Sequence, residues 1–203
     1  MNSLVIVDYG AGNLTSVANA ISHLGEDALV SSDPQIVAAA DKLIFPGVGA
    51  AMAAMQTLTA TGLGQAITEV VRRGNPVLGI CIGSQIILDE SDEDGGTKTL
   101  GLIPGKAQRF NDEPGLKIPH IGWNQVNFVK RHPIFEGIPE GAEFYFVHSY
   151  FPSVPPEFAV ARTTYGTQTF TSCVAKQNLV ATQFHLEKSG DYGLHVLKNF
   201  CRL

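Results

Sequence analysis

PVLGICIGSQ, residues 76–85, is the stretch on which the fold turns. An apolar run enters Gly79-Ile80-Cys81-Ile82-Gly83, and a helical pattern follows from Ser84 to Leu88. This is a strand–turn–helix elbow with a cysteine at its apex, where hydrolases on related scaffolds carry serine. The reason for the glycines is steric: a nucleophile on so sharp a turn takes strained backbone angles, and small residues two places either side let strand and helix approach. Cys81 is then expected at the carboxyl end of a central strand, where open α/β sheets place their sites. A helix start there favours thiolate over thiol. A lone cysteine is most often inert packing, so it is the strand before and the helix after that carry the catalytic reading. Cys173 and Cys201 lack such a setting and are read as core.

Upstream of the elbow, short β-branched runs alternate with amphipathic stretches. SLVIVD (3–8), residues 28–31 and KLIFPG (42–47) read as strands. Helices are expected at 13–24, 34–40, 50–60 and 62–73. The alternation predicts right-handed crossovers and a mostly parallel sheet with helices on both faces. Downstream, helical periodicity is scarce, and short strands at 106–110, 123–128, 143–147, 158–163 and 170–175 suggest an antiparallel extension of the sheet. LVATQF (179–184) returns to a buried-strand pattern, and 189–203 reads as a closing helix with Leu194, Leu197 and Phe200 on one face. The expected fold class is α/β, in one domain covering 1–203.

The net charge of −5 and the lack of an extended Lys/Arg run argue against a nucleic-acid partner. No apolar run approaches the roughly 20 residues of a spanning helix, and the opening MNSLVIVDYG carries no basic leader. No membrane association is therefore expected, and the location expected is cytoplasmic. Three cysteines without a close pair make a disulfide framework or thiolate metal site a poor reading. Neither a metal nor a cofactor is expected.

A cysteine nucleophile wants an imidazole within hydrogen-bond reach, held in one tautomer by a third group. Of six histidines, His185 ends a buried strand and has an acid, Glu187, two residues on. In extended backbone those side chains point the same way. His148 in FVHSY and His120 in PHIGW are rivals, read as pocket or packing residues. Acyl transfer also needs backbone N–H groups at the developing oxyanion. The Ile82 amide is one candidate, and the loop Pro46-Gly47-Val48-Gly49 offers another.

With these residues assembled, the chain resembles the class I glutamine amidotransferases. The likeness rests on DYGAGNLTSV (8–17), PGVGAAMAAM (46–55), GICIGSQ (79–85), PHIGWN (119–124), YFVHSY (145–150) and QFHLEKSG (183–190). More narrowly, the combination of DYGAGN, PGVG and PHIGWN is similar to the glutaminase subunits of imidazole glycerol phosphate synthase, from histidine biosynthesis. That resemblance implies a triad of Cys81, His185 and Glu187 and an oxyanion hole at Ile82, Val48 and Gly49. It implies glutamine binding by Gln85, Glu93, His148, Ser149 and Tyr150. Asn13, Trp123 and Lys188 match positions at the partner interface or the ammonia exit. The implied partners are L-glutamine and a (β/α)₈ cyclase subunit in a heterodimer, the isolated chain being nearly silent until a peptide of the PGVG loop turns its N–H toward the site. An amidotransferase subunit serving another synthase, such as that of pyridoxal phosphate synthesis, is the alternative, as is a non-catalytic subunit on the same scaffold. Three positions depart from the family: Leu186 replaces a proline, Ser84 a methionine and Thr15 a basic residue.

Overall fold

In the computed structural model, which describes residues 3–203, the chain opens with β1 (Leu4–Val7), α1 (Leu14–His23), β2 (Ala28–Ser31), α2 (Pro34–Ala39) and β3 (Lys42–Gly47). Met1 and Asn2, the first two positions of the expected domain, lie outside the described residues. Helices α3 (Ala51–Thr61) and α4 (Leu63–Arg72) lead into β4 (Val77–Cys81) and the short α5 (Ile82–Ile86). The strand-rich middle holds β5 (Glu90–Ser91), β6 (Thr97–Lys98), β7 (Lys106–Arg109), β8 (His120–Gln125) and β9 (Asn127–Phe128). It continues with β10 (Glu143–His148), β11 (Tyr150–Ser153), β12 (Ala159–Tyr165) and β13 (Gln168–Lys176). Then come β14 (Leu179–Thr182) and the closing α6 (Gly190–Cys201).

Local chemistry explains several boundaries. Asp33 accepts a hydrogen bond from the Gln35 N–H at 2.8 Å, and Pro34 occupies the first helical turn of α2, where its missing N–H goes unused. Along α4, Leu63, Ala66, Ile67 and Val70 are buried at the spacing of one helical stripe.

The main sheet has the order β2-β1-β3-β4-β14-β13-β12-β9. Its first five strands are mutually parallel, and the last three run antiparallel. Because side chains alternate across a strand, Ile6, Leu78 and Ile80 pack on one face with α1 and α6, while Val5, Val7 and Val77 pack on the other with α2, α3 and α4. Each such fully buried aliphatic side chain contributes about 2 kcal/mol. The topology sets β14 directly beside β4, pairing Ala181 with Gly79 and Thr182 with Ile80, so both strands deliver their carboxyl ends to the same edge.

The middle region departs from the expected single extension. Residues 123–128 split at the buried Val126, whose N–H is taken by the Ala142 carbonyl at 3.0 Å. Thus β9 joins the main sheet, while β8 pairs with β10 in a separate ribbon. A third sheet, β11-β7-β5-β6, contains β5, β6 and β11, which periodicity does not reveal. The first two are only two residues long, and β11 carries Pro152, tolerated because β11 is an edge strand.

Candidate active site

Cys81 has φ +56° and ψ −107°, a backbone conformation that non-glycine residues rarely adopt. Holding it there costs on the order of 1–3 kcal/mol, which the surroundings must impose. They do so by crowding. A methyl group on Gly83 would lie 2.5 Å from the Phe45 carbonyl oxygen, and one on Gly79 would lie 2.8 Å from the Ala181 methyl. Strand, turn and helix thus interlock at backbone distance. The turn is so abrupt that α5 starts at Ile82, immediately after the cysteine, and not at Ser84 as its pattern predicts.

From this turn Cys81 opens onto a cavity of about 350 Å³, lined also by Val48, Gly49, Ile82, Gln85, Glu93, Pro119, Val147, His148, Ser149 and Tyr150. The size suits a small metabolite. Every expected oxyanion and glutamine-binding residue lies on this wall. Gly49, at φ +103°, holds a loop conformation that a side chain would strain. The Glu93 carboxylate accepts the Ala51 N–H at 2.7 Å and so caps α3, the helix that follows the PGVG loop; burial, against that hydrogen bond, raises its pKa. A larger cavity of about 520 Å³ lies beside Phe128, Arg131 and His132 and contains no cysteine.

His185 is fully buried, and its Nδ1 lies 2.7 Å from Glu187 Oε1. The remaining ring nitrogen, Nε2, is buried and makes no hydrogen bond of standard geometry. Burial pulls the His185 pKa down, but Cys81 and then Glu187 outweigh it and raise it to about 10. For Glu187 burial acts upward, and the His185 and Asn13 bonds overcome it, leaving the pKa below its ordinary value. Asn13, expected at the partner interface or ammonia exit, also holds Glu187. It is buried at the start of α1 and donates Nδ2–H to Glu187 Oε1 at 2.9 Å, across 174 residues of sequence.

The base and its acid meet by a different backbone route from the extended one expected. Residues 186–188 form a 3₁₀ turn, with Lys188 N–H donating to the His185 carbonyl at 3.2 Å and Ser189 N–H to Leu186 at 3.2 Å. Ser189 Oγ donates to the His185 carbonyl at 2.5 Å and accepts the Tyr145 N–H at 2.9 Å, while His185 N–H reaches the Tyr145 carbonyl at 2.9 Å. Leu186, in place of the family's proline, is fully buried and begins the turn without donating either of its hydrogen bonds.

The rival histidines serve each other. His120 Nδ1 lies 3.0 Å from His148 Nε2, and His148 Nδ1 lies 2.9 Å from the Tyr150 carbonyl. Burial lowers their pKa values to about 4 and about 3, so both rings are neutral. Trp123 is 54% exposed, and Lys188 places its Nζ 5.8 Å from the Tyr145 ring centre. Of the cysteines read as core, Cys173 is fully buried and Cys201 half-buried.

Comparison with known proteins identifies the family and the fold. The class-I glutamine amidotransferase family model matches residues 5–203. The imidazole glycerol phosphate synthase subunit HisH of Dehalococcoides mccartyi strain CBDB1 is 48% identical over 201 residues, covering 98% of this chain and 97% of that one. The HisH subunit of Methanothermobacter thermautotrophicus is 48% identical over 200 residues, covering 98% of each. A glutamine amidotransferase crystal structure superposes with a TM-score of 0.74 at 19% identity, over 97% of this chain and 98% of that one. The glutaminase domain of Trypanosoma brucei CTPS with bound acivicin gives a TM-score of 0.68 at 14% identity, over 100% and 94%. By matched length, by identity and by fold, the chain belongs to the class-I glutamine amidotransferase family and, within it, to the HisH subunits of imidazole glycerol phosphate synthase.

Proposed function

We propose that this chain hydrolyses L-glutamine to glutamate and ammonia through Cys81, His185 and Glu187, and passes the ammonia to a (β/α)₈ cyclase subunit in a heterodimer. The observation that carries it is the strained Cys81 elbow opening onto a metabolite-sized pocket, with the buried ring of His185 near enough to the sulfur for Cys81 to raise its pKa. The Cys81 thiolate attacks the carboxamide carbon. Backbone N–H groups of Ile82 and the Val48–Gly49 loop hold the oxyanion. His185, protonated and oriented by Glu187, gives its proton to the departing ammonia, leaving a glutamyl thioester. His185 then takes a proton from water, which adds to the thioester, and glutamate leaves as the thiol is restored. Gln85, Glu93, His148, Ser149 and Tyr150 shape the glutamine pocket.

Support for the partner is a contiguous exposed patch beside His185. Ile121 and Trp123 project from β8, Tyr145 packs edge-on to Trp123 at 6.2 Å, and Lys188 lies over Tyr145. We assign ammonia exit to this side, with Asn13 between α1 and Glu187. Residues 1–203 act as one domain in this reading, in the cytoplasm; among the described residues no helix is long and apolar enough to cross a membrane.

The test uses the assembled complex. Cys81→Ala should reduce glutamine-driven product formation by more than about 10³-fold, while added ammonium salt supports the wild-type rate. Persistent glutamine turnover in that variant would remove Cys81 from the reaction.

A further inference from the structure

Gln183 reaches the sulfur of Cys81 and has no role in the mechanism above. It is fully buried, its N–H donates to the Ser172 carbonyl at 2.9 Å, and its side-chain Nε2 lies 3.8 Å from Cys81 Sγ. Its Oε1 lies 3.0 Å from Gln85 Nε2 and 3.3 Å from Ser84 Oγ. The surroundings decide which end of this amide faces the sulfur. The Tyr150 carbonyl can only accept, so the Gln85 atom 2.9 Å from it is the NH₂ group. The second proton of that NH₂ meets Gln183, whose facing atom must then be oxygen. The Gln183 NH₂ is left pointing at Cys81. Further back, His148 donates Nδ1–H to the same Tyr150 carbonyl, which fixes its Nε2 as acceptor for the His120 Nδ1–H. Ser84, which replaces the family's methionine, has a single hydroxyl proton, and it goes to the nearer Cys81 carbonyl at 2.8 Å; its 3.3 Å approach to Gln183 is a packing contact.

We propose that Gln183 is an N–H donor to the nucleophile, stabilising negative charge on Cys81 Sγ before attack and again as sulfur leaves the thioester. Gln85 is the positioning residue that keeps its nitrogen turned that way. The proposal rests on the glutaminase reading, and it explains why two polar side chains are buried behind the sulfur where packing alone would take apolar ones.

The test is alkylation of Cys81 by iodoacetamide across pH in the full chain, read by mass spectrometry of its peptide. The titratable groups facing the sulfur are His185, with Glu187 behind it, and Tyr9. All are retained in the variants. Gln183→Met, similar in volume but lacking the N–H, should move half-maximal alkylation upward by about one pH unit and lower kcat about tenfold, with KM for glutamine little changed. Gln183→Glu keeps the acceptor for Gln85 but turns an anionic oxygen to the sulfur, so its shift should be larger. Should the Met variant not fold, the Glu variant carries the measurement. Ser84→Ala should shift the profile by less than either. Wild-type alkylation profiles in folded Gln183 variants would overturn the proposal, even where glutamine turnover falls, because that result marks a packing role. Failure of the wild-type complex to use glutamine would instead overturn the glutaminase reading, since alkylation is measured without glutamine.

Discussion

Residues 77–86 and residues 183–189 bring their side chains to one pocket by different means. Around Cys81 the restraint is steric and local: a positive φ is enforced by glycines packed against Phe45 and Ala181, with no room for a methyl group. Around His185 the backbone is relaxed, and hydrogen bonds do the holding, with Asn13 and Tyr145 reaching in from distant segments. Asn13 stands just before the first helix, Tyr145 comes from the β8–β10 ribbon, and Ser189 belongs to the same stretch, just before α6. The nucleophile must keep one strained geometry throughout turnover. The base must gain and lose a proton, which a polar surround accommodates and a jammed one does not. The contrast predicts different failures when each side is disturbed.

The largest effect is expected at the elbow. Gly83→Ala forces a methyl into the Phe45 carbonyl oxygen and should lower stability by about 3 kcal/mol, read as a fall in urea midpoint at unchanged slope. A loss below about 1 kcal/mol would mean the turn yields easily, and the steric half of the comparison would fail.

Asn13→Ala should leave the fold standing and act on the base. Removing a hydrogen bond to a charged carboxylate is worth about 1.5 kcal/mol, so kcat for glutamine should drop about tenfold with KM nearly unchanged. The pH behaviour follows from the Glu187 shift. Its folded pKa is depressed, so its contribution to stability is present above the unfolded value and lost as pH falls through the folded one. Without the Asn13 bond that folded pKa rises, and the acid limb of a stability–pH curve should move to higher pH. An unmoved limb would show that His185 alone holds the carboxylate.

Leu186→Pro should do least. Position 186 opens a 3₁₀ turn, where a proline loses no hydrogen bond, and His185 before it already has φ −87° and ψ 105°, the region a proline demands of its predecessor. Less than about 1 kcal/mol and near-wild-type turnover are expected, measured by thermal denaturation and glutamine hydrolysis in the complex. A severe loss would mean that packing by Leu186, more than the hydrogen bonds of Ser189, keeps the base turn in place.

Legibility followed the same division. The β3, α4, β4 and β14 segments could be read because their burial writes a local period into the chain. The elbow was legible for the same reason: its glycines and cysteine are neighbours in sequence. The β5, β6 and β11 strands were not, being two residues long or interrupted by proline and paired only at an edge. At the site, His185 and Glu187 could be paired on spacing, although the 3₁₀ turn that joins them could not. Gln183 stood in plain view, two residues before His185, but nothing in a lone glutamine says which way its amide faces.

By itself the sequence determined the alternation of buried strands and helices, the sharp turn at Cys81 and the identity of each chemical group, because these depend on residues close along the chain. Only the tertiary structure decided that β14 lies beside β4, that Asn13 grips Glu187 and that the Gln183 nitrogen points at the sulfur. Those outcomes depend on which segments share a sheet edge and on hydrogen bonds spanning up to 174 residues, and no local period encodes either.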